Sequence, residues 1–491
     1  MTRTFPRGVD VAVVGSGPCG AAVARTLGER APHLTVAVFE AGPQLTATPG
    51  QHIKSIADPA ARAVAQRRSQ GPGPVADGRT ARPGTYLLPD GYRAPGEDGL
   101  PAAAMSRNVG GMGAHWTGAC PRPGESERIG FLPGLDGLLD EAERLLAVRP
   151  DAFDDVPFTG LVRERLAAAF DTGRGPGRTV RAMPLAVHRA ADGRVTWSGA
   201  DVVLGPTTPR TLLYADAHVR RVRTDHDRVT GVTVRDLVHG GEHEVAARAV
   251  VVAADALRTP QLLWASGIRP TALGRYLNDQ HQVVFAARLA DVPDAAQAAD
   301  GDATAAARHS GVSWVPYTDA EPFHGQVMQL DASPVPLASD DVPLPGSIVG
   351  LGWFCAKDLR AEDRVTFDDN RTDADGMPAP GVHYTLTDRD RAALESARKA
   401  VRRAAEALGS PIDPEPITLP LGSSLHYQGT VRMGEADDGT SVCDPDGQVW
   451  NTDGLYVAGN GVIPTATACN PTLTSVALAV GTARRIAAVL G

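Results

Sequence analysis

Two short aliphatic runs open the chain: Val11 to Val14, and a second that ends at Glu40, with an Ala-rich stretch between them. Unbroken runs of this length read as strands buried on both faces. Between the first run and the Ala-rich stretch stands Gly15-Ser-Gly17-Pro-Cys-Gly20. Residues 9–42 therefore predict strand, tight turn, helix and strand. Residues 46–105 lose the pattern and are rich in Pro, Gly and Arg, as expected of a functional loop, a lid or an oligomer contact. Residues 135–148 show apolar positions at helical spacing and predict an amphipathic helix.

Strand character returns at 210–254. A hairpin-like pair, RVTGVTVRDL and HEVAARAVVVAAD, is joined across His239-Gly-Gly241, and Val250 to Ala254 reads as a buried parallel strand. A helix is expected from Leu257, with Pro260 in its first turn, where a missing N–H is harmless. Residues 283–420 hold strand-like runs and one long polar helix from about Asp388 to Leu408. Leu455 to Asn460 is a short buried strand with its turn. Asn470-Pro471-Thr472 opens a last helix that runs to Val489.

Composition narrows the class. The 491 residues leave room for two or three domains. A net charge of −9 argues against a nucleic-acid partner, because phosphate affinity comes from clustered Lys and Arg. The first strand begins too early for a leader sequence, and no apolar run reaches the roughly eighteen residues of a membrane span, so no membrane partner is expected. Five cysteines, odd in number and scattered, suggest neither a disulfide framework nor a metal site, and make a cytoplasmic location the default.

The glycines of the first turn have separate uses. Gly15 allows the turn, Gly17 lets a pyrophosphate approach the backbone, and Gly20 lets the helix sit against the strand. Free N–H groups at the helix start then face the phosphates, and Glu40, about twenty residues on, is placed to accept from an adenosine ribose. NAD and FAD fit this stretch equally. Four glycines beside a His and a Trp in Ser106 to Pro121 suggest backbone against something flat.

Taken together, GSGPCGAAVA with Glu40, GGMGAHWT, VVVAADALRTPQLLWASGI, GRYLND, LHYQGTVRMG and GLYVAGNGVIPTATACNPTLTSVALA resemble the glucose-methanol-choline oxidoreductases, and within them the pyranose oxidase-like branch that includes bacterial glycoside 3-oxidases. The likeness covers nearly the whole chain. It implies an α/β fold with an FAD-binding Rossmann-like domain of glutathione reductase type, and an α+β substrate-binding domain with a mostly antiparallel sheet of about six strands. The expected FAD domain is discontinuous (1–150, 205–282 and 421–491). The substrate domain takes 151–204 and 283–420, with 46–105 as a lid or oligomerisation loop.

The same resemblance implies the site. His426 is the general base for a sugar hydroxyl, a role suited to an imidazole near neutrality. Asn470 is its catalytic partner, although Asn before Pro also fits a helix N-cap. Cofactor contacts fall to Gly15, Gly17, Gly20, Glu40, Gly110, Gly111, His115, Trp116, Thr117, Val219, Gly459, Asn460 and Thr472. The helix opened at Asn470 points its positive end at the flavin. His115 matches the residue that bonds covalently to flavin in fungal pyranose oxidases, but Gly113-Ala114 replaces their Ser-Thr, so attachment stays open. Cys19 and Cys469 read as small hydrophobes, Arg220-Arg221 and Arg402-Arg403 as solvated faces. His281 and 309–324 are undecided as borders of the cavity. The expected reaction oxidises a secondary ring hydroxyl at C3 or C2 of a sugar or glycoside, with O2 or a quinone as acceptor. The alternatives are another alcohol (choline, a sterol or an aryl alcohol) or a flavin-binding protein without oxidase activity.

Overall fold

The computed structural model describes residues 4–69, 85–189, 195–292, 311–330 and 346–491. Within the expected lid, 70–84 lie outside the described residues; within the expected substrate domain, 190–194, 293–310 and 331–345 do.

The first aliphatic run forms the strand Gly8–Val14 at the centre of a seven-stranded sheet. It pairs in parallel with Val36–Phe39 on one side and Glu242–Val252 on the other. Thr211–Tyr214 extends the sheet beyond Val36–Phe39, and Leu455–Val457 lies parallel to the end of Glu242–Val252. The strand Glu242–Val252 changes character along its length. Its first half alternates exposed and buried residues and joins an antiparallel meander with Arg228–Asp236 and Ala217–Asp225. Its last four residues are all buried and lie in the parallel sheet. The switch from alternating to unbroken apolar sequence is the switch from one-sided to two-sided burial.

Helices Pro18–Arg30, Leu135–Leu146 and Thr472–Leu490 pack together against this sheet. Thr472–Leu490 is long and apolar enough to match a membrane span, contrary to the expectation that no segment would be, but it is a core helix with most of its length buried in the protein.

The second sheet is also seven-stranded and antiparallel, in the order Gly409–Pro411, His281–Leu289, Ile348–Cys355, Phe323–Leu330, Val312–Val315, Arg181–Ala182, with Ile417–Thr418 also on His281–Leu289. One face is covered by helix Asp388–Leu408, with Thr159–Phe170 beside it. The long helix presents Ala393, Leu394, Ala397, Ala400, Val401, Ala404 and Leu408 at intervals of three and four to Val283, Phe285, Leu351 and Trp353. A reciprocal capping box starts it, since the Thr387 hydroxyl accepts from Asp390 N and the Asp390 carboxylate accepts from Thr387 N. The other face carries Gln326 and Phe354 towards the first sheet.

The helix expected from Leu257 starts at Asp255, so Pro260 lies inside it and not in its first turn. Its ring removes the N–H that would have reached the Ala256 carbonyl. The Thr430 hydroxyl donates to that carbonyl instead. Arg220 corrects a second expectation: it is not a solvated side chain but donates to the carbonyls of Asp375 and Gly376. Arg402 and Arg403 pair with Glu415 and Glu321.

Candidate active site

A cavity of about 350 Å³ runs from the glycine turn to the start of the C-terminal helix. Gly15, Gly17, Glu40, Gly111, His115, Trp116, Thr117, Val219, Gly459, Asn460, Thr472, His426 and Asn470 all line it, although they come from distant parts of the chain. Gly20 and Gly110 do not reach it and act one layer behind. A Cβ on Gly20 would lie 2.0 Å from the Gly15 carbonyl oxygen, so only glycine lets the helix sit on the turn. Gly15 has φ +101° and a Cβ there would meet the Ala253 carbonyl at 2.3 Å. By contrast, no protein atom stands closer than 3.9 Å to a Cβ on the cavity-lining Gly17, which leaves that backbone open to a bound group.

Glu40 is buried, and burial raises its pKa against the hydrogen bonds from Ser16 and Gly42 that lower it. One carboxylate oxygen accepts from Ser16 N and Oγ at 3.2 and 2.7 Å, the other from Gly42 N at 2.8 Å. The acid thus braces the glycine turn as well as facing the cavity. Ser16 Oγ also accepts from Gly110 N at 2.9 Å, joining the turn to the second glycine cluster.

His115 follows a short 3-10 turn, Gly111–Ala114. Its Nε2 lies 3.0 Å from Asn108 Oδ1. The Asn108 amide nitrogen is committed to the carbonyls of Val109 and Gly111, so oxygen faces His115 and the proton sits on Nε2. Burial, then the neighbouring His52, lowers the pKa of His115 to about 4, and the ring is neutral. His52 holds the next residue, with Nε2 2.9 Å from the Trp116 carbonyl, while the Trp116 indole donates to the Ser198 carbonyl.

His426 and Asn470, expected to meet, do so. Asn470 Nδ2 lies 3.4 Å from His426 Nε2. The Asn470 carbonyl oxygen accepts from Gln326 Nε2 at 2.5 Å. Asn470 does not cap the helix: Pro471 takes that position and no side chain caps it. The amide is therefore committed to the site. His426 N donates to Asp279 Oδ1 at 3.2 Å, and the Ser424 hydroxyl donates to the same oxygen. Leu425, just before His426, holds the left-handed φ of 63°, a strained conformation for a branched residue fixed by these contacts. Phe354 stacks on the His426 ring with centroids 5.8 Å apart.

Comparison with known proteins identifies the architecture. Family models described as GMC oxidoreductase match residues 190–282 and 360–479. A C-glycoside 3-oxidase of Microbacterium trichothecenolyticum is 60% identical, over 99% of this chain and 98% of its own. The chain belongs to the GMC oxidoreductase family. A C-glycoside 3-oxidase of Arthrobacter globiformis is also 60% identical, over 98% of this chain and 96% of its own, and a pyranose 2-oxidase of Tricholoma matsutake is 37% identical over 80% and 74%. Among solved structures, pyridoxine 4-oxidase of Mesorbium loti has a TM-score of 0.66 at 20% identity, with 97% of this chain and 99% of that chain covered, which shows a shared GMC fold.

As a GMC oxidoreductase the chain uses FAD. The open backbone at Gly17, the Gly459-Asn460 turn and the helix start at Thr472, all on one cavity, fit it. The free N–H groups at that helix start favour negative charge. This GMC oxidoreductase also holds residues that no motif singled out, Gln280, Gln326 and Glu127, and Asp279, which ends the GRYLND motif but was given no role. For Gln280 and Asp279 the sequence signal was the polar run Asn278-Asp-Gln-His-Gln282 at the entrance to an apolar strand; Gln326 and Glu127 had none. His281, from the same run, faces the other way. It shares the helix side of the sheet with Val283 and Phe285, its ring 6.3 Å from Tyr384, and burial lowers its pKa to about 4.

Proposed function

We propose that this flavoenzyme oxidises a secondary ring hydroxyl of a glycoside, at C3, to a ketone. The pairing of His426 with Asn470 across the cavity wall carries this reading, and the names of its 60% identical relatives, C-glycoside 3-oxidases, supply the substrate class. Bound FAD would supply the hydride acceptor, and with O2 as the final acceptor the overall reaction would turn an alcohol and O2 into a ketone and H2O2. His426 Nε2 takes the hydroxyl proton as the C–H bond is broken. Asn470 Nδ2 donates to the same substrate oxygen and fixes its line of approach. Phe354 covers one face of the imidazole and keeps it in place. The five cysteines are free thiols, which supports a reducing, cytoplasmic location.

Anaerobic mixing with a panel of C-glycosides, O-glycosides, free sugars and non-sugar alcohols tests the assignment. Glycosides are expected to bleach the flavin, with NMR of the product locating the ketone at C3. A ketone at C2, or bleaching by non-sugar alcohols alone, overturns it. Oxygen consumption with H2O2 release tests O2 as acceptor, and reduction of quinones without it would replace O2. Replacing His426 with Ala is expected to slow flavin reduction by about 10² to 10⁴-fold, the usual contribution of a positioned base.

A further inference from the structure

We propose that Gln280 is the positioning residue of this site: its one side-chain amide fixes which ring nitrogen of His426 carries the proton, and ties that ring to the loop that presents Asn470. This rests on His426 being the base. The amide has no freedom of orientation. One end lies 2.8 Å from the Cys469 carbonyl and 3.1 Å from the Thr467 carbonyl. Carbonyls only accept, so that end is the nitrogen and both its hydrogens are spent. The other end, 2.7 Å from His426 Nδ1, is therefore the oxygen. An amide oxygen also only accepts, so Nδ1 must be the donor. A neutral imidazole carries a single N–H, which leaves the lone pair on Nε2, the nitrogen that faces Asn470.

The donor direction then runs one way along the site. Gln326 donates to the Asn470 oxygen, the Asn470 nitrogen faces the His426 lone pair, and His426 Nδ1 donates to Gln280. The opposite tautomer would place a proton on Nε2, with no lone pair to take one from a substrate. Gln280 is 2% exposed and its amide is fully engaged within the protein, so its place is behind the base and not against a substrate.

The same amide governs the loop. Its nitrogen holds the carbonyls of Thr467 and Cys469, while Glu127, on the opposite edge, accepts from Ala468 N and Cys469 N, both at 2.9 Å. Asn470 follows immediately. The two groups that meet a substrate oxygen therefore share one support, although 44 residues separate them. Among the described residues, Asp279 and Ser424 accept from the His426 N–H, Phe354 lies on the ring face and His324 lies beyond Phe354. Gln280 is a neutral partner, and a carboxylate in its place would favour the protonated ring.

The test uses the FAD-loaded enzyme with [15N]histidine, the His426 signal being assigned by its loss in His426→Asn. In the wild type the proton is expected on Nδ1. Gln280→Leu is expected to move it towards Nε2 and to lower the rate of flavin reduction at saturating substrate by about 10²-fold or more, with KM nearly unchanged. Gln280→Glu is expected to keep the proton on Nδ1 and to shift to higher pH the point at which the reduction rate rises. A wild-type proton on Nε2 overturns the proposal, as does a Gln280→Leu enzyme with an unchanged tautomer and a rate within about threefold of wild type. Should Gln280→Leu not fold, an unmoved pH profile in Gln280→Glu overturns it. The NMR reading needs no substrate. A failed glycoside panel with Nδ1 protonated would therefore refute the substrate assignment and leave this one standing.

Discussion

Asn108 decides what His115 is able to do. Its amide draws the imidazole Nε2–H into a hydrogen bond, and a protonated nitrogen has no lone pair with which to attack a flavin methyl group. Acid precipitation of the holoenzyme is therefore expected to leave the yellow cofactor in the supernatant; colour in the pellet would mean that the ring turns over or bonds through Nδ1. Asp279 offers a second residue-scale prediction. Burial raises its carboxyl to about 7, against the lowering bonds from Ser424 and the backbone. The native pKa lies above the unfolded value of about 4, so between pH 4 and 7 the native state keeps a proton that the unfolded chain has lost. Stability falls as pH rises through that window, by up to about 1.4 kcal/mol per pH unit from this group. Denaturant titrations from pH 5 to 8 are expected to show a shallower fall in Asp279→Asn than in wild type. An identical slope would remove Asp279 as the cause. Neither environment was legible in the sequence. The motif placed His115 beside the cofactor, but which nitrogen faces Asn108 is a matter of three dimensions.

At the scale of elements, hydrophobic pattern predicted well where the burial is local. The unbroken, buried end of Glu242–Val252 and the long helix Asp388–Leu408 were both legible in the order of residues. The helix Asp255–Ala265 did not. Pro260 argued for a start near Leu257, yet the helix runs through it because Thr430, 170 residues later, serves the stranded Ala256 carbonyl. Thr430→Val keeps the shape and removes that donor. It is expected to cost about 1–3 kcal/mol in urea unfolding, the penalty of a buried acceptor left unpaired. A loss below about 0.5 kcal/mol would show that the carbonyl finds another partner.

For the molecule as a whole, the site lies where two separately organised sheets meet. The parallel sheet brings the glycine turn and the C-terminal helix to the cavity, and the antiparallel sheet brings Gln326 and Phe354 to Asn470 and His426. The second sheet is anchored by a buried ion cluster. Lys357, fully buried, lies 2.7 Å from Asp363 and 3.2 Å from Asp390, the residue that also closes the capping box of the long helix. Lys357→Met leaves two buried carboxylates without their cation and is expected to destabilise the fold by about 3–5 kcal/mol in denaturant unfolding. A change under about 1 kcal/mol would show that the carboxylates neutralise by taking up protons.

The chain's order of residues by itself determined the glycine loop, the buried strands and the long helix, and the family resemblance pointed to His426 and Asn470 as site residues. Each depends on spacing along the backbone or on a motif a few residues wide, and backbone geometry turns such spacing directly into position. Only the tertiary structure decided that Asn470 lines the cavity and does not cap the helix, that His281 faces away from it, and that Gln280 stands behind His426. These placements depend on residues 144, 103 or 146 positions away in the chain: Gln326 hydrogen-bonded to Asn470, the Tyr384 ring beside His281, and Gln280 hydrogen-bonded to His426. A side-chain donor acts only on the acceptor within about 3 Å of it, and which acceptor that is emerges when the sheets have packed.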